Sequence, residues 1–212
     1  MHPPDLVDAL VADLRPVRPA APWLRAMLSW CLVSWAIVGG AILMGGPLRD
    51  GVVADLMTSP RFAVELALGF AAGLAGIWAG LELGVPGAPS AQRLWTPPLL
   101  LFGAWILTIC YGLIQPSGPS TMDGRRVHCF LQTLLVSLPP YSIALYFLRG
   151  RIIHAQTRSG ILVGSAAAAI PALWMYLACQ TEPLHVLMFH LSPILIVGVL
   201  GAVVADRTLS RI

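Results

Sequence analysis

The apolar residues of this chain fall into long runs, separated by short segments that carry most of its prolines and arginines. Six of these runs are long enough to cross the roughly 30 Å hydrocarbon core of a bilayer as helices. They predict transmembrane helices near residues 27–45, 62–83, 97–114, 128–148, 160–178 and 186–205. The predicted fold is all-α: a polytopic membrane protein built as a six-transmembrane-helix bundle.

The residues before the first run follow a different pattern. Apolar side chains recur there at i, i+4 and i+8, and acidic side chains fall on the opposite helical face. The apolar set is Leu6, Leu10 and Leu14 with Val7 and Val11, and the acidic set is Asp5, Asp8 and Asp13. Pro16 ends the pattern, because proline disfavours helical geometry in the residue before it. We expect a short amphipathic helix that needs a surface to bind, since it is too short to be stable alone in water.

Composition supports the membrane prediction. The chain has 212 residues, of which 57% are hydrophobic and only 11% charged, whereas soluble domains carry about a quarter charged residues. Mean hydropathy is +0.78. All 13 basic residues are arginine, and they are spread over the polar segments rather than clustered. That distribution gives no indication of direct nucleic-acid binding.

The arginines predict the orientation, because cytoplasmic loops carry an excess of basic residues. With six crossings, nine arginines fall on the side of the two termini: Arg15, Arg18, Arg25, Arg93, Arg149, Arg151, Arg158, Arg207 and Arg211. Four fall on the other side: Arg49, Arg61, Arg125 and Arg126. Both termini are therefore predicted to be cytoplasmic. The chain then divides into a cytoplasmic segment (1–26), a transmembrane domain (27–205) and a cytoplasmic tail (206–212).

Three features inside the runs predict how the helices pack. Small residues recur along the second run and predict a close-packed face; they are Gly69, Gly73, Gly76, Gly80 and Gly84. Arg61 and Glu65, at i and i+4, are expected to pair near the outer interface. Pro139-Pro140 is expected to break or kink the fourth run, and Pro171 the fifth.

The predicted topology places several metal-ligating residues at one depth on the outer side. Cys129 opens the fourth helix and Cys179 ends the fifth, while His128, His185 and His190 lie close to them in sequence. Thiolate and imidazole bind zinc and other soft or borderline metals, and outer cysteines can also form a disulfide. The spacing matches no standard zinc signature, so ordinary packing is an equal alternative from the pattern alone. Cys31 is interpreted as structural.

Taken together, these residues resemble the NrsF-type negative regulators of ECF sigma factors. The resemblance covers the whole chain and is most specific at Ala12-Asp13-Leu14-Arg15-Pro16-Val17, at His128-Cys129 and at Cys179-x-x-x-Pro183-x-His185 with His190. It implies an anti-sigma factor of the bacterial inner membrane that releases its sigma factor on metal or oxidant stress. It implies that Cys129 and Cys179 are the paired outer cysteines. It also assigns sigma-factor binding to Asp5, Leu6, Asp8, Leu10, Val11, Asp13, Leu14, Pro16 and Val17.

Further expectations follow for activity, partners and cofactors. The resemblance implies no enzymatic activity, an ECF sigma factor as protein partner, and no obligatory cofactor. The lipid bilayer is the other partner, and homo-oligomerisation is left open. A soft or borderline transition metal ion is expected only as a signal, held by Cys129, Cys179 and a histidine. Three alternatives remain: a thiol oxidoreductase, which the lack of a Cys-x-x-Cys pair disfavours; a small metal transporter, which needs polar groups near mid-bilayer; and a scaffold without sensing.

Overall fold

The computed structural model describes residues 11, 23–83, 85, 88–115, 128–149, 155–179 and 181–209. Within this part of the chain, six helices are long and apolar enough to cross a membrane, as predicted. We call them the first to sixth spans: Trp23–Met44, Pro60–Glu82, Ala91–Ile114, Cys129–Arg149, Gln156–Ala178 and Pro183–Leu209. A short helix, Val52–Thr58, lies between the first two spans. The third span was expected to begin at Pro97. Its helix begins earlier, at Ala91, and runs through Pro97 and Pro98.

Two of the spans, the fourth and the sixth, are not continuous α-helices. The fourth consists of Cys129–Val136 and Leu138–Arg149, interrupted at Ser137. Pro139 and Pro140 lack the amide protons that would continue the helical bonding there, which confirms the predicted break. The sixth consists of Pro183–His185, a π-helical segment Val186–Leu191, and Ser192–Leu209. The fifth span continues through Pro171 as one helix, so the predicted break does not occur there, and a kink at Pro171 stays a prediction.

The fifth span is the centre of the bundle, and the first, second, fourth and sixth spans all pack against it. Small residues make this possible, because they let helix backbones approach closely. On the second span, Gly76 faces Ala166 and the carbonyl of Leu162, and Gly80 faces Val163. These contacts confirm the predicted packing face for the glycines that are described; Gly84 lies outside the described residues.

The fifth and sixth spans approach each other most closely of all. A Cβ atom added to Gly160 would collide with the backbone of Gly201, and one added to Gly201 would collide with the carbonyl of Gly160. A Cβ at Gly164 would lie 2.5 Å from the carbonyl oxygen of Val197. The two helices therefore depend on glycine at their crossing.

Contacts between the spans show which helix ends lie together. The amide of Arg49, after the first span, donates to the carbonyl of Leu177 near the end of the fifth at 3.3 Å. Arg61, at the start of the second span, occupies the space beside Gly112 near the end of the third. Cys129 and Cys179 place the start of the fourth span at the same end. We call this the cysteine end, and the first span begins at the opposite end.

Candidate functional site

Two cysteines from different spans meet at the cysteine end. Cys129 is the first residue of the fourth span, and Cys179 directly follows the last residue of the fifth. Their sulfur atoms lie 3.1 Å apart, and the side chains are 2% and 0% exposed. Thr133 donates to the Cys129 carbonyl at 2.7 Å, and the Cys179 amide donates to the Met175 carbonyl at 2.8 Å. The backbone at each cysteine is thus held by a hydrogen bond within its own span: the Thr133 hydroxyl donates at Cys129, and a backbone amide donates at Cys179.

The start of the sixth span brings two histidines to the same place. Glu182 caps this helix: its carboxylate accepts from the amide of Leu184 at 3.2 Å and from that of His185 at 2.7 Å. Pro183 occupies the first turn, where a missing amide proton costs nothing. The His185 Nε2 atom lies 3.3 Å from the Cys179 sulfur. The sequence Glu182-Pro183 therefore fixes the position of His185.

The π-helical segment determines where His190 points. In an α-helix, two side chains five residues apart are separated by about 140° around the axis. A π-helix forms i→i+5 hydrogen bonds and winds more residues into each turn, so it brings such residues closer together around the axis. Here the segment Val186–Leu191 brings the His185 and His190 rings to 5.1 Å between centroids, at 88°. Both imidazoles consequently face the cysteines from one side of the helix.

Together, these side chains form a compact cluster of soft donor atoms. One ligand atom each from Cys129, Cys179, His185 and His190 can be chosen so that all lie within 4.8 Å of one another. The histidines are 5% and 1% exposed. Among the described residues, His185 Nδ1 and both ring nitrogens of His190 have no hydrogen-bond partner. Unpaired buried nitrogens of this kind are costly, typically by about 1–3 kcal/mol.

A second polar group adjoins the cluster. Glu65, only 1% exposed on the second span, accepts from Arg61 Nε at 2.8 Å and from the Tyr176 hydroxyl. The ring of Tyr176 meets that of His190 edge-on, with centroids 6.5 Å apart. The predicted Arg61–Glu65 pair is therefore confirmed. Its link through Tyr176 to the histidines was not predicted, and the one signal for it was a glutamate inside an apolar run.

The predicted site residues fall into three groups. Cys129, Cys179, His185 and His190 come together. His128 stays apart, because it precedes the fourth span and its side chain is exposed. Cys31 and Cys110 are half-buried on the first and third spans. Of the residues expected to bind a partner, Val11 is helical and 58% exposed; the others lie outside the described residues, namely Asp5, Leu6, Asp8, Leu10, Asp13, Leu14, Pro16 and Val17.

The chain matches a known protein family. A family model described as NrsF, negative regulator of sigma F, matches residues 10–210, which is nearly the whole chain. No curated protein matches the chain, and no solved structure does.

Proposed function

The chain belongs to the NrsF family, the negative regulators of sigma F, and on that basis we propose how it regulates its sigma factor. It holds an ECF-type sigma factor at the bacterial inner membrane through residues 1–26, with both termini in the cytoplasm. It releases that factor when Cys129 and Cys179, on the outer side, react with a metal ion or an oxidant. The observation that carries the proposal is the pair of buried sulfur atoms 3.1 Å apart, contributed by two different spans.

The partner-binding half of the proposal rests on the amphipathic pattern before the first span. A helix of this kind binds by placing its apolar face in a groove of the partner. Its leucines enter that groove, and Asp8 and Asp13 face basic residues at the rim, which suits the positive surface of a DNA-binding protein. Adsorption to the inner leaflet is less favourable, because that leaflet is itself negatively charged.

The sensing half rests on the chemistry available to the two thiols. A two-electron oxidant such as a peroxide removes two electrons and two protons from the pair, forms the sulfur–sulfur bond and leaves as water. The sulfurs need to approach by about 1 Å, because a disulfide bond is about 2.05 Å long. Alternatively, a metal ion displaces the thiol protons and binds the thiolates. Either event ties the start of the fourth span to the end of the fifth.

The same two spans offer a route to the opposite end. The fourth span ends there at Arg149 and the fifth begins there at Gln156, at the end where the first span begins with Trp23. A small change in how the fourth and fifth spans pack can therefore shift the surface beside the N-terminal segment. A coupling of about 1–3 kcal/mol changes partner affinity by 5–150-fold. We infer a purely regulatory role, with the cysteines as a switch and not as a redox catalyst.

The experiment compares the parent chain with a Cys129→Ser, Cys179→Ser double variant in cells that report sigma-factor-dependent transcription. Challenge with soft metal ions or with peroxide is expected to raise transcription in the parent and to leave the double variant repressed. Cys110→Ser, which removes a half-buried thiol on the third span, is the matched control and keeps the parent response. A double variant that responds like the parent would place the switch elsewhere.

A further inference from the structure

We propose that Cys129, Cys179, His185 and His190 form one complete four-ligand site for a divalent ion of the zinc type. The inference deepens the proposed function, because it names the ligand class of the sensing site. Ion binding can nevertheless be measured without the sigma factor. The site differs from the one expected from the sequence in two ways: it uses both histidines of the sixth span, and it excludes His128.

The first support is the local helical geometry. His185 and His190 are five residues apart, and across the π-helical winding of Val186–Leu191 their rings lie 5.1 Å apart, beside Cys179. π-helical segments are rare, and many of those that occur lie at functional sites. The helix start is fixed independently by the Glu182 cap. The winding thus lets a second imidazole reach the thiols, which an ordinary α-helix would prevent.

The second support is the state of the His190 side chain. The residue is 1% exposed, and neither ring nitrogen has a hydrogen-bond partner among the described residues. Buried polar groups are almost always paired, and exceptions need an explanation. A metal ion accounts for one of the two nitrogens, because a neutral imidazole binds a metal through one ring nitrogen. His185 can bind in the same way.

The third support is the donor set itself. Two sulfurs and two imidazole nitrogens are the ligands of tetrahedral zinc sites, at about 2.0–2.3 Å from the ion, and the four donors already lie within 4.8 Å of one another. A divalent ion with two thiolates and two neutral imidazoles has no net charge. That balance suits a buried site in an apolar bundle, where an unpaired charge is very costly. Calcium and magnesium, which prefer oxygen ligands, do not fit.

Aromatic rings hold the two imidazoles in place. The Phe189 ring packs on His185 at 4.8 Å between centroids, and the Tyr176 ring meets His190 edge-on. The Tyr176 hydroxyl is in turn bound to Glu65. These contacts restrict the orientation of both imidazole rings by packing. An ion in the site would therefore connect the second, fourth, fifth and sixth spans.

The test is titration of the full-length chain, reduced and purified in detergent micelles, with Co²⁺ as the spectroscopic probe. We expect one ion per chain, an absorption spectrum typical of tetrahedral sulfur–nitrogen coordination, and the release of about two protons per ion as the thiols ionise. Competition with Zn²⁺ and Cd²⁺ should displace the probe.

Four variants decide which residues bind the ion. Cys129→Ser and His190→Ala should each weaken binding more than about 100-fold, since even outer-shell changes commonly cost 10–100-fold. His190→Cys supplies a substitute donor, so it should retain binding and show a stronger thiolate absorption. His128→Ala is the matched control and should bind like the parent. The proposal is overturned if the parent binds no ion, if His190→Ala binds like the parent, or if His190→Cys binds no better than His190→Ala.

The two proposals fail separately. If the chain binds Co²⁺ through these four residues but keeps its sigma factor when metal is added, the metal site is supported and metal-triggered release is wrong. If the chain releases its sigma factor on oxidation but binds no ion, the proposed function is supported and the metal site is wrong.

Discussion

Glu65 lies among apolar residues on the second span. It is a carboxylate in an apolar span, almost fully buried, and it accepts hydrogen bonds from Arg61 and Tyr176. A buried charge of this kind is stable only when paired and hydrogen-bonded. Its partners come from its own span and from the central fifth span. Glu65 therefore joins the two spans close to the cysteine and histidine cluster.

We predict that Glu65→Gln lowers the free energy of unfolding by about 1–3 kcal/mol, because Arg61 loses its counter-ion and the Tyr176 hydroxyl loses a charged acceptor. Unfolding by SDS titration in mixed micelles measures the change. Glu82→Gln is the matched control: it makes the same substitution at the other end of the same span, where the side chain is half-buried. Equal effects from the two substitutions would contradict the role given to Glu65.

Some contacts of these residues follow from local sequence patterns, and others depend on the tertiary fold. Arg61 and Glu65 were predicted to pair because they lie four residues apart on one helix. Tyr176 was not, since it lies 111 positions from Glu65 and no local pattern links them. Cys129 and Cys179 were expected at one depth because the order of spans places them there. Their 3.1 Å contact depends on tertiary packing, which the pattern of apolar residues does not specify.

At the scale of elements, the π-segment of the sixth span is the feature that sequence patterns miss. Its residues are apolar apart from His190, as they would be in an α-helix. Hydrophobic periodicity therefore gives no sign of the wider π-helical turn. An α-helical interpretation separates His185 from His190 by about 140°. In the structure the two rings instead lie together, with centroids 5.1 Å apart. The limits of the six spans, in contrast, follow from the lengths of the apolar runs and were predicted to within a few residues, apart from the start of the third.

The crossing of the fifth and sixth spans is a second feature at this scale. Gly160→Ala is predicted to lower stability by about 1–3 kcal/mol, because a methyl group there collides with the backbone of Gly201. Gly103→Ala is the matched control, since a Cβ at that position meets no atom within 4 Å. Thermal unfolding in detergent distinguishes the two. The prediction is wrong if both variants unfold at the same temperature as the parent.

The amphipathic helix predicted before the first span gives a prediction for partner binding. Burial of one leucine contributes about 1.5–3 kcal/mol, so Leu10→Ala should weaken sigma-factor binding about tenfold or more. A pull-down with residues 1–26 as bait provides the first measurement, and the full-length variant in micelles provides the affinity. Unchanged binding in a Leu10→Ala, Leu14→Ala double variant would show that the apolar face of this helix does not bind the partner.

In the whole molecule, the length of the helices separates the cysteine and histidine cluster from the N-terminal segment. The cysteine and histidine cluster lies at one end, and the segment before Trp23 attaches at the other. The central fifth span runs between them and is the most deeply buried of the six. This arrangement suits a protein that senses on one side of a membrane and binds its partner on the other.

The orientation in the membrane is predicted from the nine arginines on one side against four on the other. Reporter fusions after residues 26, 120 and 155 should report inside, outside and inside, respectively. An outside signal at residue 155 would place the cysteine end in the cytoplasm and remove the basis for sensing an external signal.

We propose that a reaction at the cysteine end loosens the sigma factor at the opposite end. The affinity of the purified chain, in lipid nanodiscs, for a fluorescent sigma factor is measured before and after treatment with peroxide or with Cd²⁺. Binding should become about 5–150-fold weaker after at least one of the two treatments and should not change in the Cys129→Ser, Cys179→Ser variant. If the parent keeps its affinity after its cysteines have demonstrably reacted, the proposed coupling between the two ends is wrong.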